Sequence, residues 1–472
     1  MKKKLLSFII MFFLAVSIVL TGCTEQGLTG GPDPEANVIS NGGMAVIKGD
    51  YLYYVNGYID ETTLGRNDNK AGTIEKSGIY RTQLDVNGDI QKDEDGFLVK
   101  TERVVSKVVG FSNGGFYIID NYIYYATPYM KLSSDGVLQS NRVEFHRVKL
   151  DGTGDKVVYI TSKNEDNLDW TLYKIENTVY LVTYVDGKIM SVNTETNSVV
   201  GTVDSSTSYI FLKETDYSAT DTRTAPSQTH IFFTRSLSRL GFSGNTMCTF
   251  NIATGEIQVL ADYENDTYTI IAINRDTLYY TKKSSVGGDD AKALLYRRNI
   301  SESYSIGTER QLSDVAYNSY TLVATGNDRF LVSNSSGIYL IENGASRRLV
   351  LGGEHTVLAV YGDYGYYSEE NALIRFAILG DTSSDTVTAE DKAYTITNEK
   401  YIDYDNRRVY VYANYTAANG NGNDYLNYID LDTMESRFVG QFESNDVPAK
   451  PEQDENYGEE GYEDIEYKPH ID

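Results

Sequence analysis

The amino-acid sequence predicts an all-β fold, and three observations support this prediction. Residues that favour strands are abundant, with 40 tyrosines among 472 residues, and Tyr, Val, Ile and Thr all suit a pleated, half-buried surface. Proline, which interrupts a strand ladder, is scarce at 7 residues. Beyond a short apolar run at the N-terminus, no long stretch has the apolar period of about 3.6 residues that indicates a helix.

A short strand, a tight turn and an aromatic strand recur eight times in the chain. The first copy turns from Ala45–Asp50 into Tyr51–Val55, and the second turns from Phe116–Asn121 into Tyr122–Tyr125. The other copies lie at residues 173–182, 229–233, 276–280, 328–332, 363–367 and 406–411. Asp, Asn and Gly at the turns supply the backbone geometry of two-residue hairpins. The pattern therefore predicts antiparallel hairpins along most of the chain.

The spacing of these copies predicts a closed architecture. Units of about 40–50 residues with about four strands each are typical of a β-propeller, in which sheets are arranged as blades around an axis. We therefore predict a β-propeller over residues 41–445, with eight blades of four antiparallel strands, and with seven or six blades as alternatives. A β-sandwich array that does not close, or a tandem of small β domains, is the competing architecture.

A second recurring signal marks the predicted third strand of several units. It consists of an apolar residue, a further residue that is often aromatic, and an arginine, at Ile79–Arg81, Phe145–Arg147, Leu295–Arg297 and Leu373–Arg375. These stretches resemble strands of YWTD-like and TolB-like propellers, and the chain resembles propeller lipoproteins of Gram-positive bacteria. The resemblance covers nearly all of residues 41–445. It implies the fold and no particular activity, because propellers host unrelated functions.

Three turns resemble those of another propeller group. Residues 193–197, 251–256 and 430–435 are similar to a hairpin turn of the quinoprotein-like propellers, in which Asn or Asp begins the turn. Quinoprotein dehydrogenases dock their blades with one tryptophan per repeat, whereas this chain has the single tryptophan Trp170. The resemblance therefore concerns turn chemistry and argues against a bound quinone cofactor.

The N-terminal residues predict export and lipidation. Three lysines precede an apolar run from Leu5 to Leu20, which is shorter than the roughly 20 residues of a stable spanning helix. Thr21, Gly22 and Cys23 complete a sequence that resembles a bacterial lipobox. We predict a signal peptide over residues 1–22, cleavage between Gly22 and Cys23, and lipid on the Cys23 sulfur. An uncleaved anchor or a plain secretory signal is the alternative.

This lipidation would place the protein on the extracytoplasmic face of the bacterial cell membrane, where two or three acyl chains hold a protein firmly. Residues 23–40 are rich in Gly, Pro, Thr and acidic residues and are predicted to be a flexible tether. Residues 446–472 are predicted to be an acidic disordered tail. A docking peptide with tyrosine anchors is the alternative for that tail.

Charge and cysteine content exclude some partners. The formal charge is −25, and loss of the three signal-peptide lysines would lower it by three to −28. Such a surface repels nucleic acid, so a nucleic-acid partner is excluded. The two cysteines are Cys23 and Cys248. With Cys23 lipidated, Cys248 has no disulfide partner and is predicted to be a buried thiol.

Motifs for catalysis or metal binding are weak. None of the four histidines, at 146, 230, 355 and 470, has a metal-ligand spacing that would predict zinc. Gly110–Gly114 matches a nucleophile pattern but lies between strands instead of at a strand–turn–helix elbow. Residues 85–96 resemble a calcium loop and lack its required Gly and Glu. We predict no cofactor, with a weak calcium site in these turns as the alternative.

The longest loops predict a binding surface. They follow the aromatic strand, at residues 56–77, 127–141, 235–246, 281–293 and 412–424. In four-stranded antiparallel blades such loops emerge on one face, where binding residues tend to lie. The candidate binding rim consists of Tyr58, Tyr129, Arg235, Arg239, Asp289, Asp290, Asn414 and Tyr415. Simple tolerance of insertions in these loops is the alternative.

The sequence therefore predicts a non-catalytic binding or scaffold module at the cell envelope. Tyrosine-rich loops suit an envelope protein or a glycan, since tyrosine offers a large contact area and a hydroxyl group. A subunit of an envelope assembly or secretion complex is one alternative. The other is a carbohydrate-active enzyme that uses carboxylates at the channel mouth, which would require a buried Asp/Glu pair with a raised pKa.

Overall fold

The computed structural model describes residues 27–438 with internal gaps. The gaps are residues 40, 57–77, 87, 89–90, 92–101, 108, 110–114, 133–137, 162–168, 186, 205, 212–227, 237–243, 261–265, 275, 287–290, 302, 324–327, 343–345, 370–371, 380–383, 389–393, 404–407, 417–421 and 435. The predicted signal peptide and acidic tail therefore lie outside the described residues. Within the described part, no helix has the length and apolar character needed to cross a membrane.

The first half of the chain forms four antiparallel sheets from consecutive strands. Sheet 1 contains β1 (Val38–Ile39), β2 (Ala45–Lys48), β3 (Tyr51–Asn56), β4 (Gly78–Gln83) and β5 (Glu102–Val105). Sheet 2 contains β6 (Phe116–Ile119), β7 (Tyr122–Leu132), β8 (Leu138–Lys149) and β9 (Lys156–Ile160). Sheet 3 contains β10 (Asp169–Ile175), β11 (Thr178–Val185), β12 (Lys188–Asn193) and β13 (Ser198–Asp204). Sheet 4 contains β14 (Ser206–Ile210), β15 (His230–Ser236), β16 (Asn245–Asn251) and β17 (Ile257–Val259).

The second half repeats this arrangement. Sheet 5 contains β18 (Thr267–Asn274), β19 (Thr277–Lys283), β20 (Ala293–Asn299) and β21 (Arg310–Gln311). Sheet 6 contains β22 (Ser319–Leu322), β23 (Phe330–Asn334), β24 (Gly337–Glu342) and β25 (Ser346–Gly352). Sheet 7 contains β26 (Ala359–Tyr361), β27 (Tyr364–Glu369), β28 (Ala372–Ala377) and β29 (Ser384–Thr388). Sheet 8 contains β30 (Tyr394–Asp403), β31 (Arg408–Thr416), β32 (Gly422–Asp430) and β33 (Ser436–Phe438).

The sheets pack in a ring. Each sheet shares a hydrophobic cluster with the next one, as where Phe145 of sheet 2 packs with Trp170 of sheet 3. The circle closes where Tyr428 of sheet 8 packs with Ile47 and Tyr54 of sheet 1. The predicted β-propeller is therefore confirmed. The described residues form eight sheets, and the blade number of the complete chain stays a prediction.

Sheet 1 begins with β1 as an additional strand, so its β2 to β5 correspond to the first to fourth strands of the other sheets. In this numbering the first strands of neighbouring sheets meet on the inner side of the ring, as β2 does with β6 and β14 with β18. At two of these junctions an asparagine side chain bonds to the backbone of the next sheet. Its amide accepts one hydrogen bond and donates another, as a paired backbone residue does. Asn41 accepts a hydrogen bond from the Ile118 N–H at 2.6 Å and donates to the Ile118 carbonyl at 2.8 Å. Asn245 pairs with both backbone groups of Tyr268 in the same way, at 2.7 Å and 2.9 Å. These amides thus provide hydrogen-bond partners for backbone groups of the neighbouring sheet's first strand.

All eight predicted hairpin copies contribute the second strand of a sheet, namely β3, β7, β11, β15, β19, β23, β27 and β31. A recurring hydrogen bond explains the Asp and Asn residues at the first turns. The residue after the third strand donates its N–H to the carbonyl of that turn residue, as Leu84 does to Asp50 at 2.7 Å and Ile378 to Asp363 at 2.8 Å. In these sheets the turn residue therefore connects the first hairpin to the end of the third strand.

The arginine of the third-strand signal joins neighbouring sheets. Arg81 donates to the Leu150 carbonyl of sheet 2 at 3.4 Å, and Arg375 donates to the Leu431 carbonyl of sheet 8 at 2.9 Å. Ser191 occupies the matching position in sheet 3 and donates to Ile252 of sheet 4 at 2.7 Å. In each case the acceptor directly follows the next sheet's third strand, so the signal marks a contact between sheets.

Residues 27–39 correct the prediction of a flexible tether for that stretch. Leu28 donates its N–H to the Asp151 carbonyl at 2.9 Å and packs against the core between sheets 1 and 2. The Lys48 ammonium donates to the Pro34 and Ala36 carbonyls at 3.0 Å and 3.2 Å. Val38–Ile39 then pairs with β2 as β1. The chain is held here because its carbonyls accept the hydrogen bonds that the buried Lys48 ammonium would otherwise lack.

The loop prediction also needs correction in two places. Residues 127–132 and 138–141 continue β7 and β8, and residues 412–416 and 422–424 continue β31 and β32. Ladder pairing runs out to Leu132 opposite Leu138, and to Thr416 opposite Gly422. Tyr129, Tyr412, Tyr415 and Thr416 are residues of types that favour strands. These segments are therefore paired hairpins instead of irregular loops.

Candidate functional site

The ring has two sides that the topology distinguishes. Connections from the second to the third strand, and from one sheet to the next, emerge on the loop face. Turns between the first and second strands, and between the third and fourth, emerge on the opposite turn face, since consecutive strands are antiparallel. The candidate binding rim belongs to the loop face.

The structure places four of the eight rim residues in strands. Tyr129 lies in β7, Arg235 in β15, and Asn414 and Tyr415 in β31. Arg235 is partly buried and stands opposite Thr246 in the ladder. The other rim residues, Tyr58, Arg239, Asp289 and Asp290, lie outside the described residues, as do Gly22 and Cys23. The binding role of the rim therefore stays a prediction.

Two of these strands belong to long hairpins. The β7–β8 ladder extends seven residues past the last pairing of β7 with β6, from Tyr125 to Leu132. At about 3.4 Å per residue this hairpin projects roughly 24 Å on the loop face. The β31–β32 hairpin is likewise longer than the second and third strands of sheets 3 to 7. Sheets 8 and 2 are the two neighbours of sheet 1, so the hairpins flank that sheet.

A polar cluster surrounds His146 in sheet 2. The imidazole is buried, and its Nδ1 lies 3.0 Å from Asp155 Oδ1 while its Nε2 lies 3.0 Å from Glu144 Oε2. Lys107 Nζ lies 2.8 Å from Asp155 Oδ2 and 3.3 Å from His146 Nδ1. Tyr125 stacks on the imidazole and donates its hydroxyl hydrogen to Asp155 at 3.0 Å. We call these five residues the His146 cluster.

The strands explain the geometry of the His146 cluster. Glu144 and His146 are two residues apart in β8 and share a face, and Tyr125 is the ladder partner of His146. Burial disfavours ionisation of Asp155, but hydrogen bonds from His146 and Lys107 outweigh it and lower its pKa to about 2. Burial and the Asp155 charge raise the pKa of Tyr125 above its usual range. The carboxylate of Asp155 is therefore an ionised acceptor.

A related cluster lies in sheet 5. Glu309 accepts hydrogen bonds from Tyr280 at 2.6 Å, Lys282 at 2.9 Å and Arg298 at 3.2 Å. Tyr280 corresponds to Tyr125, since both end the tyrosine pair of the second strand. Burial opposes ionisation of Glu309, and the hydrogen bonds from Lys282 and Tyr280 outweigh that effect and lower its pKa. A tyrosine hydroxyl thus fixes an ionised carboxylate ahead of the fourth strand in both sheets.

These clusters suit structural ion pairing better than acid catalysis. Each carboxyl pKa that is clearly shifted among the described residues is shifted downward, for Asp151, Asp155, Asp266 and Glu309. A general acid near neutral pH needs the opposite shift. No group of three or more His, Cys, Asp or Glu side chains in the described part of the chain could hold a metal ion.

Sequence reasoning placed His146 and His230 in strands and Cys248 in a buried strand, and the structure has them in β8, β15 and β16. It did not predict the His146 cluster, because Lys107 follows the last strand of sheet 1 and Asp155 lies in the connection between β8 and β9. One weak signal for such a cluster is present in the sequence. A histidine, His146, precedes Arg147 where tyrosine precedes Arg81 and Arg297.

Comparisons with known proteins found similar solved structures. No protein-family profile and no curated protein sequence matches the chain. The chain is similar to the Dos1 propeller, with 9% identity, a TM-score of 0.39, and coverage of 85% of this chain and 94% of that one. It is also similar to the β-propeller domain of the Trilobed protease from Pyrococcus furiosus, with 12% identity, a TM-score of 0.37, and coverage of 76% and 100%.

A prolyl endopeptidase structure is similar with 12% identity and a TM-score of 0.42, over 68% of this chain. The chain spans about half the length of that enzyme, 48%. At these identities the similarities concern the propeller fold alone.

Proposed function

We propose that this protein is a lipid-anchored β-propeller that acts as a non-catalytic binding module on the extracytoplasmic face of the bacterial membrane. The observation that carries the binding role is the pair of long hairpins on the loop face, which bear Tyr129, Asn414 and Tyr415. A ladder-paired hairpin loses less conformational freedom on binding than an irregular loop of the same length. The two hairpins therefore suit capture of an envelope protein or a glycan between them.

The anchor is supported by the sequence that ends in Cys23 and by the contacts of Leu28, which seat the chain on the ring soon after that cysteine. The downward carboxyl pKa shifts in the His146 cluster and around Glu309 favour structural ion pairing over a general-acid role for these carboxyls. A subunit of an envelope assembly or secretion complex is a special case of the same proposal, in which the captured partner is an integral membrane protein.

Affinity capture from lightly crosslinked native cells tests the binding role. The bait is the full-length chain, and the test variant combines Tyr129→Ala, Asn414→Ala and Tyr415→Ala. Thr202→Ala, at an exposed site on the outermost strand of sheet 3, is the control. We expect the wild type and the control to retain a partner that the triple variant loses, with all melting temperatures equal. Equal capture by the triple variant would contradict the proposal.

Purified envelope polysaccharide serves as a second probe in the same comparison. Retention by the wild type and loss by the triple variant would identify a glycan as the partner. Turnover of that polysaccharide by the wild type would contradict the non-catalytic role.

A further inference from the structure

The N-terminal segment fixes where the anchor leaves the ring. Gly27 lies so close to the turn between β8 and β9 that a Cβ there would come within 2.7 Å of Asp151 Oδ2. Leu28 is bonded to the same turn through the Asp151 carbonyl. Arg81, which is fully buried, donates to the Thr29 and Gly30 carbonyls at 3.2 Å and 3.4 Å. The chain is therefore held at the outer part of sheet 2, on the turn face.

The remaining length limits the position of the membrane. Leu28 is five positions after Cys23 in the sequence. A fully extended chain spans at most about 3.6 Å per residue, which gives a reach of about 18 Å. The bilayer that holds a lipidated Cys23 must then lie within this distance of the turn between β8 and β9.

The surface next to this point is apolar. The outermost strands β9, β13 and β17 expose a series of aliphatic side chains to solvent, namely Val157, Ile160, Val199, Ile257 and Val259. The three strands are neighbours, since Asn197 before β13 donates to the Val157 carbonyl at 3.3 Å. Gly255 before β17 in turn lies against Gly201 of β13. We call this surface the aliphatic edge.

The aliphatic edge is also electrically neutral. Its three strands contain one cation, Lys156, and one anion, Asp204. In a chain of formal charge −25 these strands carry no net negative charge, and the exposed carboxylates nearest to them, Glu195 and Glu256, lie in the turns before β13 and β17. Contiguous exposed apolar residues mark interaction sites, and apolar side chains bind readily at the headgroup–acyl boundary.

We propose that the aliphatic edge of sheets 2 to 4 rests against the membrane that holds Cys23. The inference depends on the proposed lipid anchor, because the short reach from Leu28 is what brings this edge to the bilayer. The partner is the lipid surface itself. In this orientation the loop face and its two long hairpins stay uncovered and accessible to partners in the envelope.

Depth-dependent quenching tests this orientation on the full-length lipidated protein. Single cysteines are introduced as Val199→Cys, Ile257→Cys or Leu349→Cys and labelled with an environment-sensitive fluorophore. The native Cys248 is buried and does not take the label. Leu349 is the matched control because it is an exposed aliphatic residue on the outermost strand of sheet 6. The vesicles contain phosphatidylethanolamine and phosphatidylglycerol, with or without a headgroup-quencher lipid.

We expect the quencher to reduce emission at positions 199 and 257 by about twofold or more and to leave position 349 unchanged. Val199→Asp should weaken the quenching at position 257, whereas Leu349→Asp should not. Equal quenching at all three positions in vesicle-bound protein would overturn the orientation alone. Loss of the protein from the vesicles would overturn the lipid anchor, and with it this inference.

Discussion

Single residues carry much of the connection between sheets, and Arg81 is the clearest example. Its guanidinium is fully buried, forms an ion pair with Glu102 at 2.7 Å, and donates to carbonyls of the N-terminal segment and of sheet 2. One side chain therefore joins three parts of the fold. The planar, always-charged guanidinium suits this role, because several carbonyls lie around it within hydrogen-bond distance.

Replacement of Arg81 tests this role. We expect Arg81→Met to lower the free energy of unfolding by about 3 kcal/mol, since Glu102 and several carbonyls lose their buried partner. Arg142→Met, at an exposed position of β8, is the control and should change the stability little. Urea unfolding of the two variants checks the prediction. A loss below about 0.5 kcal/mol for Arg81→Met would show that the contact is dispensable.

His230 predicts a pH dependence of stability. Burial lowers its pKa from 6.5 to about 4, so between these values the unfolded chain binds a proton that the folded chain does not. Stability therefore falls as the pH falls from 6.5 to about 4, by at most about 1.4 kcal/mol per pH unit. We expect His230→Phe to flatten this part of the stability profile in urea unfolding at several pH values.

His355→Phe is the control for that experiment, because His355 is a partly exposed histidine that also stacks on a tyrosine. It should leave the slope between pH 6.5 and pH 4 in place. An unchanged slope in His230→Phe would assign the pH dependence to another group.

At the scale of strands and sheets, local sequence predicted the repeating element well. The first hairpin, Ala45–Lys48 with Tyr51–Asn56, follows from two runs of strand-favouring residues on either side of a Gly-Asp turn, which are properties of neighbouring residues. The packing of residues 27–39 could not be predicted in this way. It depends on Arg81 and Lys48, whose buried cations need carbonyl partners that only the folded ring brings near.

The need for contacts between distant residues also explains why the sequence did not predict the His146 cluster. Lys107 and Asp155 are 48 positions apart, and their meeting depends on how sheet 1 sits beside sheet 2. Likewise, the extension of β7 and β8 past Thr127 depends on mutual ladder pairing instead of on a local turn signal. A hairpin near its turn is determined by neighbouring residues, whereas a junction between sheets is determined by residues that are far apart in the sequence.

The asparagine contacts between sheets give a prediction at this scale. Asn245→Ala would leave the buried N–H and carbonyl of Tyr268 without the side-chain partner that they have at 2.7 Å and 2.9 Å. We expect a loss of about 2 kcal/mol in unfolding free energy and faster amide exchange in β18. Asn299→Ala, at an exposed residue, is the control. Unchanged exchange in β18 would show that the junction does not depend on this amide.

At the scale of the whole molecule, the proposed lipid anchor would hold the propeller at a membrane surface with one face free. Each described sheet is built from strands that follow one another in the chain. The ring closes through side-chain packing, with Tyr428 among Ile47 and Tyr54. The N-terminal segment reinforces the junction between sheets 1 and 2.

Cys23→Ala tests the anchor for the whole molecule. We expect the variant to be released from the membrane fraction into the medium or the soluble envelope fraction, because the lipid attachment site is gone. The wild type should stay with the membrane after a high-salt wash, and its N-terminal peptide should carry the mass of acyl chains. Membrane retention of Cys23→Ala would contradict the lipid attachment. A Cys248→Ala control should behave as the wild type does.

The path of residues 27–39 also decides how the molecule would bear mechanical load. Tension applied at Cys23 would first reach the hydrogen bond between Leu28 and Asp151, then the carbonyls held by Arg81, and then the pairing of β1 with β2. These contacts would yield in series, one after another, before the ring itself felt the force. A force applied at Cys23 would thus first detach the N-terminal segment, residues 27–39. The junction between sheets 8 and 1 would not bear this force.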